Sequence, residues 1–130
     1  MNARHAMSAY SNTQVHSGIM DASPHKLTAM LLGGAVDRLN VARGAIAKGD
    51  VAQRGEMLGK AISILAQLQA DLDMEKGGGI AQNLEALYDY MIRQLVEVNR
   101  QNDSTKLDEV LALVNEIKAG WDGIRGEVDA

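Results

Sequence analysis

The chain has 130 residues, enough for one hydrophobic core and too few for two, and its 46% hydrophobic content is carried by Ala, Leu, Val, Ile and Met, with no Phe and a single proline, the composition of packed helices. The absence of Cys excludes a disulfide framework, a thiolate metal site and a Cys nucleophile. Net charge is −4, with ten acidic and ten basic residues in 1–102 but seven and three in 103–130, which excludes the basic face that nucleic acid demands.

Residues 1–22 hold no continuous apolar run, so they read neither as a secretory signal nor as a membrane span, and the expected compartment is the cytoplasm. Apart from a short turn around residues 6–10 they lack periodicity and are expected to form an N-terminal arm. Ser23-Pro24 reads as an N-cap followed by proline at the first helical position, where its missing N–H does no harm. The first helix then carries Leu27, Met30, Leu31, Ala35, Leu39, Ala42 and Ile46 on one stripe, and Gly49-Asp50 ends it. Gly33-Gly34 in its middle costs about 2 kcal/mol relative to two alanines, a cost that close approach of another helix would explain.

Asp50 with Gln53 makes a start resembling a capping box, and Leu58, Ala61, Ile62, Leu65, Leu68 and Leu72 carry the second helix to about Met74. Gly77-Gly78-Gly79 release the backbone, and a third helix is expected from Ile80 to about Asn99, with apolar residues at 80, 84, 87, 88 and 91 restarting the stripe. Asp103 or Ser104 caps a fourth helix bearing Leu107, Val110, Leu111, Val114, Ile117 and Trp121, which Gly123 and Gly126 then weaken. Short connections make sequence neighbours antiparallel. The expected fold is all-α: an antiparallel up-down-up-down four-helix bundle over residues 23–121, with residues 122–130 as a flexible tail.

Motifs of catalysis are missing. Gly55-Glu56-Met57-Leu58-Gly59-Lys60-Ala61 has one residue too few between its glycines for a phosphate loop, lacks the Mg²⁺-binding hydroxyl after Lys60, and falls inside a helix. His5, His16 and His25 show no carboxylate at the spacing of di-iron bundles. His25 alone could serve a helical-bundle phosphotransfer or regulatory adaptor, the second functional reading. Asp71, Asp73 and Glu75 read as a solvated turn at a helix C-terminus, where the macrodipole disfavours them. No enzyme, cofactor or metal is expected.

Apolar residues exceed one stripe per helix. Leu32 and Val36 flank the Gly-Gly face of the first helix, Met57 and Ile64 lie off the main stripe of the second, and Tyr88, Ile92 and Val96 do so on the third. Together they could form grooves for an amphipathic partner, and methionines such as Met30, Met57, Met74 and Met91 suit an adaptable surface. A wide core in a bundle so poor in aromatics is the competing account.

Ala9-Tyr10, Gln14-Val15, Ala22-Ser23-Pro24, Gly49-Asp50-Val51, Lys60-Ala61-Ile62, Asn102-Asp103 and Trp121 follow in an order and spacing that resembles the flagellin-specific secretion chaperones of the FliS family. The most specific segment is Leu72-Asp73-Met74-Glu75-Lys76-Gly77-Gly78 followed by Ile80-Ala81-Gln82-Asn83-Leu84 and Leu87-Tyr88. The resemblance implies a non-enzymatic cytoplasmic chaperone with no membrane insertion. Its cargo would be the disordered C-terminal segment of flagellin, laid in apolar grooves so that it neither polymerises early nor becomes unfit for export. It also implies a mobile arm, bearing Tyr10 and Val15, that competes with cargo, and a flagellar export gate, co-chaperone or anti-sigma factor as further partners. The chain departs from the family pattern in the first helix. Leu31-Leu32-Gly33-Gly34-Ala35 stands where an aromatic and an acid commonly occupy the second and third positions.

Overall fold

A computed structural model describes residues 23–124, which form four helices: α1 (Pro24–Lys48), α2 (Val51–Ala70), α3 (Met74–Gln101) and α4 (Ser104–Gly123). The N-terminal arm, with Tyr10 and Val15, and residues 125–130 lie outside this range. Each helix packs antiparallel on its two neighbours in a ring, α1 touching α2 and α4, and α3 touching α2 and α4. This is the expected up-down-up-down bundle.

The turns follow from local chemistry. The Ser23 hydroxyl accepts from the Lys26 N–H at 3.1 Å, and Pro24 opens α1. Gly49 ends α1 in the left-handed region at φ 73°, and Asp50 caps α2 by accepting from the Gln53 N–H at 3.0 Å. At the turn between α3 and α4 Asn102 takes φ 56°, and the Asp103 carboxylate accepts from the N–H groups of Thr105 and Lys106. The Arg54 guanidinium ties that turn to α2, donating to the side-chain oxygens of Asn99 (3.1 Å) and Asn102 (2.8 Å).

The turn between α2 and α3 departs from expectation. The second helix ends at Ala70 rather than Met74, and the third begins at Met74, ahead of the glycines. Asp73 decides this. Its carboxylate accepts from the Lys76 N–H at 2.9 Å, capping a first turn that Gly78 (φ 51°, ψ −129°) separates from the rest of α3. Asp73 and Glu75 therefore sit at a helix N-terminus, where the macrodipole favours them, the reverse of the sequence reading. Ile80, the first residue of the stripe that periodicity restarts, is 74% exposed. The fourth helix runs to Gly123, two residues past the expected bundle limit, with Asp122 paired to Lys118 at 2.8 Å.

The core is one cluster, with Leu31, Leu32, Leu39, Leu58, Leu65, Met91, Leu95, Leu107, Val110 and Val114 as its large members. Gly33 is not a point of close approach, since a Cβ there would meet only the Lys118 Cε, at 3.7 Å. Among the described residues no helix is long and apolar enough to cross a membrane.

Candidate functional site

Antiparallel packing brings four helix ends together: the starts of α1 and α3 and the ends of α2 and α4. Between them opens a groove of about 850 Å³. Leu68 and Leu72 come from α2 and its exit, Ile80, Ala81, Leu84 and Tyr88 from α3, and Ile117, Trp121 and Ile124 from α4. Asp71, Asp73 and Lys76 add charge, and Thr28 of α1 completes the lining. Of the seven large hydrophobic residues exposed among the described residues, Met74 (39%), Ile80 and Ile124 (38%) belong to the helix ends on this side of the bundle, and Ile80 and Ile124 line the groove itself.

Trp121 is held in one orientation. Its ring stacks on His25 with centroids 4.5 Å apart and planes 8° from parallel, and its Nε1–H donates to the His25 carbonyl at 2.9 Å. This joins the end of α4 to the start of α1 and fixes the indole as a groove wall. A smaller cavity of about 330 Å³ is lined by His25, Lys26, Ala29, Met30 and Asp122. The His25 side chain is buried, at 6% exposure for the residue, with both ring nitrogens sealed and without a hydrogen-bond partner. His25 is thus a buried residue at the junction of α1 and α4. Phosphotransfer needs an accessible imidazole nitrogen, and this packing withholds it.

The rim is acidic. The Asp71 carboxylate accepts from Gln67 Nε2 at 3.0 Å and Asp73 caps α3, yet both residues are exposed and neither pairs with a cation. Among the described residues Lys76 is the one cation in the lining, and it pairs with neither. The buried ring of Tyr88 forms part of the apolar wall, and burial pushes its phenol up to about 12. Among the described residues no group of three or more His, Cys, Asp or Glu could hold a metal ion.

The residues picked out by periodicity do not line one groove. Tyr88 lies in the end groove. Leu32 is fully buried in the core, because α1 sinks a wide arc between α2 and α4, and so it presents no surface to a partner in this arrangement. Val36, half-buried, lies three residues after Gly33 and seven before Arg43; Gly33 faces Lys118 and Arg43 pairs with Asp108, so Val36 faces α4. Met57 and Ile64 lie on the flank of α2 opposite Gly55 and Gln69, the residues that face α3, and so border α1. Ile92, one heptad before Asn99, faces α2. Sequence reasoning missed Leu72, Ile80, Ile117, Trp121 and Ile124 as groove residues. The glycine triplet and the single Trp were the available signals, but only the meeting of four helix ends turns them into a site.

Comparison with known proteins agrees with this architecture. The family model described as flagellar protein FliS matches residues 6–128. A flagellar secretion chaperone FliSB of Pseudomonas aeruginosa is 46% identical over 124 residues, covering 95% of this chain and 98% of that protein. The flagellar secretion chaperone FliS of Vibrio cholerae is 43% identical over 124 residues (95% and 91%), and that of Salmonella typhimurium 48% identical over 114 (87% and 84%). The match spans all four helices and the 71–91 segment that builds the groove, and on that ground the chain belongs to the FliS family of flagellar proteins.

Proposed function

We propose that this protein is a cytoplasmic export chaperone that binds the disordered C-terminal region of flagellin in apolar surface grooves, the end groove foremost. As a member of a secretion-chaperone family it is not an enzyme. The observation that carries the reading is the exposure of Ile80 and Ile124 in the wall of an open apolar groove, on a chain related throughout to named flagellar secretion chaperones. A disordered segment that lays its apolar side chains there hides surfaces that would otherwise pair with other copies, and it remains unfolded enough for export. Ordering it costs part of the gross interaction energy, so affinity per unit area is modest while the covered surface is large.

In this reading residues 1–22 are an arm that competes with cargo through Tyr10 and Val15, the part of the expected 122–130 tail that lies beyond Ile124 is flexible, and an export gate, co-chaperone or anti-sigma factor are further partners. Calorimetric titration with a flagellin C-terminal segment tests it, comparing the full chain with one lacking residues 1–18. One-to-one binding with a strongly negative ΔCp is expected, tighter for the truncated chain. Absence of binding by both would overturn the chaperone reading, and equal affinities would remove the competing role of the arm.

A further inference from the structure

We infer that the end groove selects a cargo segment that is apolar on one side and carries a Lys or Arg beside its apolar residues, with Asp71 and Asp73 as the anchor for that cation. The inference deepens the chaperone reading and rests on it.

The groove walls are apolar, so area alone would accept any hydrophobic segment. The charge on its rim is what can discriminate. Asp71 and Asp73 are two residues apart on the link between α2 and α3, both exposed, and both border the groove. The oxygens already engaged, by Gln67 Nε2 and the Lys76 N–H, leave each carboxylate a second oxygen for a donor from a partner. Among the described lining residues Lys76 is the one cation against these two carboxylates, and it makes no ion pair with either. Asp122 is spent on Lys118, and among the described residues no ion pair reaches Asp71, Asp73 or Lys76. The carbonyl ends of α2 and α4 meet at this end of the bundle and add partial negative charge. The start of α3 is already capped by Asp73, and that of α1 by Ser23. A cation entering beside the apolar walls gains a charge-assisted hydrogen bond next to low-dielectric surface, whereas an acidic segment meets two carboxylates. Discrimination by repulsion as well as attraction gives a promiscuous apolar surface its register.

The test exploits Trp121, the only tryptophan in the sequence and a wall of the groove. The full chain is titrated with a flagellin C-terminal segment free of tryptophan, following heat and Trp121 emission together, at low and high salt. The Asp71→Asn/Asp73→Asn variant removes charge while Asn keeps both the N-cap oxygen and the acceptor for Gln67. The expected result is a saturating emission change with the same midpoint as the heat. The variant should bind about tenfold more weakly with a flatter salt dependence. Replacing the segment's Lys and Arg by Gln should weaken binding of the unmodified chain alike, with no further loss in the variant. Heat without an emission change would place cargo elsewhere and overturn the inference while leaving the chaperone reading intact. Equal affinity of variant and unmodified chain, or equal salt dependence, would overturn the charge selection. No heat with any segment would overturn the chaperone reading itself, and the inference with it.

Discussion

Leu32 and Ile80 are both branched aliphatic residues that the heptad pattern places ambiguously, and the bundle treats them oppositely. Leu32 has no exposed surface, whereas Ile80 is mostly exposed at the groove. Leu32→Ala is therefore expected to cost about 2–5 kcal/mol in urea denaturation. Ile80→Asp should move the midpoint by no more than about 0.5 kcal/mol and yet weaken cargo binding. The reverse pattern would exchange their roles. The sequence could not separate them, because an exposed face and a wide buried arc have the same period, and only the number of neighbouring helices tells them apart. His25 shows the same limit, since nothing local announces that Trp121, 96 residues away, will cover it. Tyr88 yields a pH prediction. Its phenol rises from the ordinary 10.0 to about 12 by burial. The native state therefore holds the proton more firmly than the unfolded chain. That contribution is complete below pH 10 and is lost as pH climbs through about 12, an alkaline loss on the order of 2 kcal/mol. Denaturation of Tyr88→Phe across this range should lack that component.

Helix ends were the most legible elements, because caps are written in adjacent residues. Ser23-Pro24, Gly49-Asp50 and Asp103 all function as their residue types imply. The glycine triplet misled for a related reason. Three glycines read as a linker, but Asp73 caps the chain before them and makes residues 74–77 a single helical turn hinged at Gly78. Gly78→Ala must place a Cβ at φ 51° and ψ −129°, so a loss of about 1–3 kcal/mol is expected. Thermal unfolding should register it. Gly33 is the counterexample. It lies inside α1 with ordinary contact distance to Lys118, so Gly33→Ala should stabilise by about 0.5–1 kcal/mol. A loss at Gly33 would restore close approach as the explanation at that position.

At the scale of the whole molecule the bundle and the groove are one construction. A ring of four antiparallel helices buries its middle, and the end where α1 and α3 start holds the apolar groove, with Ile80 and Ile124 exposed in its wall. A partner seated in that groove would tie stability to occupancy. A segment that binds the native state alone, at one hundred times its Kd, adds about 2.7 kcal/mol. For a bundle of this length that raises Tm by roughly 10 °C. The flagellin C-terminal segment should therefore shift the melting curve of the full chain upward in a concentration-dependent way, and Ile80→Asp should melt near the free protein's temperature with or without it. The control is a chain that carries Leu32→Ala. Its own Tm falls, but its groove is intact, so the segment should still raise it by a comparable increment. If Leu32→Ala lost the increment while Ile80→Asp kept it, the binding surface would lie along the flank of α1 rather than at the end of the bundle.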